Sequence, residues 1–397
     1  MKIETKLVQK GRNSLKHFGT INPPILFSST LLFPTMEAYE KAERGEGFYE
    51  DLFDAKTTDP AYGIAGNQTN FALQEVIKEL ENGYATLLTS SGLSSITLCL
   101  TSFLKNGDHL LLTDSAYGPN RRFCNKVLSG FGVETSFYIP NNVEDLLSKV
   151  KPNTKVIFIE APGSYTFEII DFEPIIKFAK ENNIITIIDN SWATPFYFKP
   201  LEIGFDVSIH AITKYINGHS DVLMGAITAG SEQVFSKIAT NYKNFGASVS
   251  PRDCYEALRG IRSLSARLLY QQNSLEKILD FLSKQKCISE ILAPSYPKFS
   301  EHKNWKKYFS GATPLFSIVL DKNYSTSQIA NMIDNYEIFG IGASWGGFES
   351  LVRRVIFDGI RTQTKDKYQN SVIRYYIGLE NPDDIIADLA EGFDRLR

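Results

Sequence analysis

A lysine set between two apolar runs is the first candidate for chemistry in this chain. In DVSIHAITKYINGHSDVLMG, residues 206–225, an alternating β-branched run (Val207, Ile209, Ile212) leads into a small polar segment centred on Lys214, and a second apolar run follows. Flanking strands would hold such an amine at the edge of a packed sheet, where lost hydration lowers its proton affinity and makes it a nucleophile or base. The alternative is an ordinary surface-loop lysine. A second feature is Ser90-Ser91-Gly92-Leu93, a strand end that opens a helix. Backbone N–H groups at the positive end of a helix suit an anion, most often phosphate, although the same residues also make a plain cap. The spacing matches neither a Walker A loop nor a dinucleotide fingerprint. Third is Asp189 in ITIIDN, at the end of a strand apolar enough to be buried. A buried carboxylate needs a partner, either a cationic heterocyclic nitrogen or the N–H groups of the next turn.

Amine, phosphate site and strand-end acid, together on one sheet, are the groups needed to hold pyridoxal 5'-phosphate. The amine binds the aldehyde, the helix start takes the phosphate, and the acid keeps the pyridine nitrogen protonated. Further candidates accompany them. Tyr117 follows the strand end LLLTDSAY and could lie over a ring or be merely half-buried. Arg374 interrupts the apolar strand VIRYYIG and needs an anion, in a substrate or in a structural salt bridge. Trp345, beside two glycines, suits a pocket wall or a domain interface. His210, His219, Asp206 and Asp221 lie near the lysine but match no zinc spacing, so no metal is expected.

The elements that must position these residues follow from periodicity. The strand signals YATLLTS, HLLLTD, VETSFYI, KVIFIEA, ITIIDN, DVSIHAI and LMGAITAG alternate with helical stretches at 93–104, 120–128, 143–149 and 173–180. Continuous apolar strands alternating with helices predict an α/β fold with a mostly parallel sheet covered on both faces, its ligand at the carboxyl ends of the strands. A helix over 69–80 precedes this region, and residues 1–65 read as an irregular arm that wraps a neighbouring surface or another subunit. Beyond Pro251 one long helical stretch leads into a smaller α+β unit containing LFSIVLD, a helix near 327–333, the loop GIGASWGG, VIRYYIG and a final helix from Asp383. This predicts an arm at 1–65, a large cofactor-binding domain at 66–255 and a C-terminal domain at 256–397, as expected for 397 residues. A net charge of −3 from 42 basic and 45 acidic residues gives no footprint for nucleic acid. No apolar run approaches transmembrane length, the N-terminus has no signal-peptide pattern, and four scattered cysteines without CxxC spacing fit a reducing cytoplasm.

TKYINGHSDVLMG resembles the lysine signature of the pyridoxal-phosphate enzymes of cysteine and methionine metabolism. The resemblance extends from NPPILFSSTLLF through SSG, GDHLLLTDSAYGP, EAPGS, IDNSWATP and SWGGFES to VIRYYIGLE. Within the family the chain is most similar to the bacterial cystathionine β-lyases. EAPGS stands where relatives acting at Cγ tend to carry a Thr-Asn-Pro version, Trp345 where many have Leu, and Ala211 where others usually have Ser. The resemblance implies a fold-type I enzyme in which Lys214 is the Schiff-base lysine and carries a proton between Cα and the leaving sulfur. Ser91, Gly92, Leu93 and Thr213 would bind phosphate, Tyr117 would stack on the ring, and Asp189 would pair with its nitrogen. Arg374 would clamp the substrate α-carboxylate, and Ser344 and Trp345 would shape the pocket. Tyr62 would reach the phosphate of a neighbouring subunit in a homotetramer. The implied reaction is α,β-elimination of cystathionine; γ-acting relatives, a side activity as an alanine racemase, and a silent binding protein of the same fold are the alternatives. One departure stands out: the family often has Tyr-x-Arg near the end of the arm, whereas this chain has Tyr62-Gly63-Ile64, leaving Arg44 as a candidate replacement for the arginine.

Overall fold

All seven apolar runs form strands of one sheet: β1 Ala85–Thr89, β2 His109–Thr113, β3 Glu134–Tyr138, β4 Thr154–Glu160, β5 Ile185–Asp189, β6 Val207–Ala211 and β7 Gly225–Ala229. The computed structural model describes residues 1–44, 61–364 and 367–396. Residues 45–60 of the expected irregular arm fall outside these. The strand order is β1-β7-β6-β5-β4-β2-β3, and β7 alone runs antiparallel to its neighbours. Consecutive strand residues feed opposite cores. Ile188 and Ile157 lie in one, Ile187 and Phe158 in the other, which is why these strands read as continuous apolar runs. The fold is the mostly parallel α/β architecture the sequence predicts, with a second, smaller sheet.

Helices start where the capping chemistry is strong. Asn67 caps Gln68–Glu81 in a reciprocal arrangement with Asn70, and Ser91 caps Gly92–Phe103 by accepting from the Ser94 N–H at 3.0 Å. The single long helix expected after Pro251 is two, Pro251–Arg262 and Leu264–Leu282, joined at Ser263. The joint lets Arg267 donate from Nη2 to both the Gly260 and the Tyr215 carbonyls, at 2.9 and 2.8 Å, fixing the chain beside Lys214.

The second sheet has the order β10-β11-β12-β9-β8, with β8 Ile288–Leu292, β9 Leu315–Leu320, β10 Gly340–Ile341, β11 Leu351–Val355 and β12 Val372–Tyr376. Three of these strands gave no sequence signal, and β10 is the two-residue start of the segment GIGASWGG that reads as a loop. β8 is an edge strand with its middle exposed, and β11 carries Arg353 and Arg354 in its centre. The arm is less irregular than its composition suggests. Ile3–Gln9 and Met36–Glu43 are helical, and Leu7 is fully buried against the chain's own large core. A helix of seven residues with one buried side chain shows no period. Farther along, the arm is tied to the start of Gln68–Glu81 through Asn67 and Thr69, whose side chains donate to the Leu26 and Pro24 carbonyls.

Candidate active site

The carboxyl ends of β1, β2, β4, β5 and β6 converge on a cleft of about 220 Å³, closed from the other side by the loop between β10 and β11 and by β12. Ser91, Gly92, Leu93, Tyr117, Asp189, Thr213, Lys214, Trp345 and Arg374, all nominated from sequence, line it.

Lys214 stands on a tight turn. Its N–H donates to the Ala211 carbonyl, and its own carbonyl accepts from Gly218 at 2.8 Å. Its neighbours Ile212, Tyr215 and Ile216 are buried and anchor the turn. The amine donates to Ser344 Oγ at 2.6 Å and lies 5.0 Å from the centre of the Trp345 ring. Trp345 in turn packs on Tyr215 at 5.3 Å. The loop can come this close because residue 346 is glycine. Its φ is +91°, and a Cβ there would sit 2.8 Å from the backbone of Lys214 and Tyr215. Burial, followed by the nearby Arg374 charge, lowers the Lys214 pKa to about 8, against the opposing pull of Asp189.

Two acids end adjacent parallel strands, Glu160 on β4 and Asp189 on β5, directly across from each other. Burial raises both pKa values. Glu160 reaches about 8, with the Asp189 charge as the second cause. Asp189 accepts from the Ser191 N–H at 2.9 Å, and the positive charge of His210 and Lys214 further opposes its rise. Glu160 accepts from the Tyr117 N–H at 2.6 Å and from Ser164 Oγ at 2.5 Å, so it ties two walls of the cleft together. It was not nominated from sequence, although KVIFIEA ends in an acid just as ITIIDN does. Tyr165, another lining residue not nominated from sequence, sits in the left-handed region at φ +69°.

At the β1 end, Ser91 turns its hydroxyl inward to its own helix. The first-turn N–H groups of Gly92 and Leu93, which have no intrahelical acceptor, therefore line the cleft floor. A Cβ on Gly92 would lie 2.7 Å from Ala211 Cβ, so the helix start and the end of β6 are packed as closely as two small residues allow. Thr213 also faces the cleft, its hydroxyl bonded both ways to the backbone of Met224.

Arg374 is buried on β12, and among the described residues its guanidinium donates only to the carbonyls of Gly342, Ala343 and Ser344, at 2.9 to 3.2 Å. Its Nε is buried without an acceptor among these residues. Burial, and next the charge of Arg353, depress its pKa to about 10. A desolvated cation with an unmet donor is a site for a carboxylate.

Tyr62 lies elsewhere. It is half exposed, bridged to Thr30, and faces a separate groove with Phe27, Ile64 and Ser248. Arg44 ends the helix Met36–Glu43. The four residues that gave a superficial metal set go to different partners. His210 meets Glu81, His219 bonds the Asn217 carbonyl, Asp206 takes donors from Thr186, and Asp221 accepts from Asn217.

The donor set matches pyridoxal phosphate: an amine of depressed basicity, an anion-ready helix start, a strand-end acid and an unsatisfied buried cation. A family model described as Cys/Met metabolism PLP-dependent enzyme matches residues 4–394. The chain belongs to this family. It is a pyridoxal-phosphate-dependent enzyme, and similar proteins share its whole length. An L-alanine/L-glutamate racemase of Wolbachia pipientis wMel is 42% identical, covering 100% of this chain and 98% of the relative. A cystathionine β-lyase of Escherichia coli K12 is 36% identical, covering 100% and 99%. Among solved structures, a cystathionine γ-synthase from Xanthomonas oryzae pv. oryzae superposes with a TM-score of 0.89 at 26% identity, covering 100% of this chain and 98% of the other.

Proposed function

We propose that this enzyme is a cystathionine β-lyase, converting L-cystathionine and water to homocysteine, pyruvate and ammonia. The observation that carries this reading is the pairing of Lys214, an amine of lowered basicity, with Arg374, a buried cation lacking an anion, on opposite walls of one cleft. Cystathionine β-lyases 36% identical along the full chain add to it. When bound, the cofactor supplies an electrophilic carbonyl and a ring that accepts the electrons released at Cα. Lys214 and Asp189 would hold its two ends, Ser91, Gly92, Leu93 and Thr213 its phosphate, and Tyr117 its face. Arg374 would fix the substrate α-carboxylate, aiming the Cα–H at Lys214. The neutral amine would take that proton and deliver it to the departing sulfur, with Ser344 orienting the amine between the two positions. Trp345 would keep water from the reacting carbon. Assaying products from L-cystathionine tests the reading. Pyruvate with homocysteine supports it, and 2-oxobutyrate with cysteine would identify a γ-acting enzyme instead.

The 42% identical racemase favours a second reading. Returning the abstracted proton to the opposite face of Cα inverts the amino acid instead of eliminating the thiol, using the same residues. Formation of D-alanine from L-alanine, without pyruvate, separates the two.

We also infer a cytoplasmic homotetramer, with a large domain at 66–255, a C-terminal domain at 256–397 and an arm at 1–65 contacting the neighbouring subunit. Leu15, Phe18, Phe27 and Leu32 on the arm are exposed, as expected of a surface that a second copy covers. Tyr62 would then enter the neighbour's site. No described helix is long and apolar enough to cross a membrane. Sedimentation of the purified enzyme tests the assembly, and an active monomer would reject it.

A further inference from the structure

Arg374 has a second arginine directly opposite it. In the antiparallel pairing of β11 and β12, Arg353 is the cross-strand partner of Arg374, flanked by the pairs Leu351–Tyr376 and Val355–Val372. Residues paired this way project from the same face of the sheet. That face points at the cleft, because Arg374 lines it and Tyr376 packs on Tyr215 beside Lys214. Arg354, one residue on, faces the other side and donates to Thr326.

The Arg353 guanidinium lies 5.6 Å from the centre of the Tyr165 ring, and Tyr165 is itself a wall of the cleft. Neither arginine forms an ion pair among the described residues. Like charges placed directly opposite one another on a sheet destabilise it. Arg353 lines an adjoining groove that shares Ala343 with the cleft, and a pair of cations so placed, with no acid paired to either among the described residues, is suited to a ligand with two anionic groups that reaches past the cleft wall.

We infer that Arg353 is a specificity residue: with Arg374 taking the α-carboxylate, Arg353 receives a second carboxylate at the far end of the substrate. Such a group is present both in a short dicarboxylic amino acid and in the distal half of cystathionine. Tyr165 holds the second guanidinium in place by stacking. The inference rests on reading the cleft as an amino-acid site, with Arg374 as its α-carboxylate clamp.

The test uses the holoenzyme and two unreactive acids of equal chain length, glutarate with two carboxylates and pentanoate with one. Calorimetric titration should show glutarate binding more tightly than pentanoate to the native enzyme. In Arg353→Met the ratio of the two affinities should fall by about tenfold or more, the loss of one charge-assisted contact. Arg353→Lys should restore part of it. An unchanged ratio in Arg353→Met, or equal weakening of both acids, overturns the inference. Because a like-charge pair is relieved, the midpoint of thermal unfolding should not fall in Arg353→Met, and a large fall would instead assign Arg353 a purely structural role. Turnover distinguishes the two sources of the carboxylate. A rise in KM for L-cystathionine relative to S-methyl-L-cysteine points to the distal half of cystathionine, and a rise for glutamate relative to alanine points to a dicarboxylic acid. If no substrate is turned over, the function proposed above fails while the glutarate result still decides the role of Arg353.

Discussion

The pH at which Lys214 loses its proton controls how fast the apo-enzyme captures its cofactor, since only the neutral amine attacks an aldehyde. A lysine at its ordinary value of 10.5 is neutral in about one molecule in 3,000 at pH 7, whereas at a pKa of about 8 the fraction is about one in ten. The roughly 300-fold gain corresponds to about 3.5 kcal/mol at ~1.4 kcal/mol per decade. Stopped-flow mixing of apo-enzyme with pyridoxal phosphate, followed by the absorbance of the bound cofactor, reads this directly. The rate should rise about tenfold from pH 7 and level off above pH 8 to 9. A rate still climbing nearly tenfold per pH unit between pH 8 and about 9.5, as for a lysine at its ordinary value, refutes a desolvated lysine. The second cause of the shift is the Arg374 charge, so Arg374→Met should move the midpoint upward, though not to 10.5, because burial is the larger cause. Losing this arginine also frees the carbonyls of residues 342–344 and loosens the loop against Lys214. Arg374→Lys separates the two effects. It keeps the charge, so a midpoint remaining near 8 assigns the shift to electrostatics, and one rising as in Arg374→Met assigns it to hydration through the loosened loop.

Three further outcomes are expected. Gly346→Ala places a methyl 2.8 Å from the Lys214 backbone at a positive φ; it should cost roughly 1–3 kcal/mol of stability and, by displacing Ser344 and Trp345 from the amine, on the order of 100-fold in kcat/KM, measured by thermal melts and steady-state kinetics. Burial works against the Asp114 carboxylate, yet donors from Thr362 and Thr364 and the charge of Arg121 outweigh it and hold the pKa below the usual carboxylate range. Its stabilisation is therefore complete above the ordinary carboxylate pKa and fades as pH falls through the lowered one. Asp114→Ala, which leaves Arg121 buried without its partner, should cost about 3–5 kcal/mol at neutral pH, measured by urea unfolding. Glu160 has the opposite sign: its pKa is raised to about 8, so the stability it contributes is present at low pH and lost as pH rises from the ordinary carboxylate value through about 8. Melting of the apo-enzyme should show this decline, and Glu160→Gln should flatten it.

The large sheet was legible because a parallel sheet covered on both faces favours continuous apolar strands, and its central runs have them, while β3 at the edge is more polar and partly exposed. Its ligand-bearing edge then followed from strand direction, which brought Ser91, Tyr117, Asp189 and Lys214 to one place. The second sheet was harder to read. β8 has an exposed middle and β11 carries two arginines among its five residues, so neither shows the alternation of a covered strand. Arg374 stood out as one charge in an apolar strand, while Arg353 in LVRRV, with a second arginine beside it, offers no such contrast. The register of β11 against β12 sets it on the same face as Arg374. Glu160 escaped for a different reason. Its strand ends in an acid just as that of Asp189 does, but whether two such acids oppose each other depends on the alignment of β4 and β5, which periodicity does not encode. Tyr62 lies outside this cleft, half exposed in a separate groove with Phe27, Ile64 and Ser248.

What separates the lyase from the racemase therefore does not lie around Lys214, where the two reactions ask for the same amine. Both begin by removing the Cα proton, and they diverge in what happens to the side chain. Elimination needs a leaving group at Cβ held in a fixed orientation, whereas inversion needs only that the far end be accommodated. The far end is governed by the small sheet, through the loop carrying Ser344 and Trp345 and through the paired guanidinium groups of β11 and β12. A wall fixed by Arg374 at one end and Arg353 at the other favours substrates that span both cations. A spanning substrate with sulfur at Cβ is directed to elimination, and one with carbon there can only exchange its proton. On this argument a single site supports both reactions, and the substrate's own chemistry selects between them. Incubation with L-glutamate in deuterated water decides it: deuterium at Cα without loss of the side chain is expected, and the absence of exchange under conditions where cystathionine is cleaved refutes the shared site.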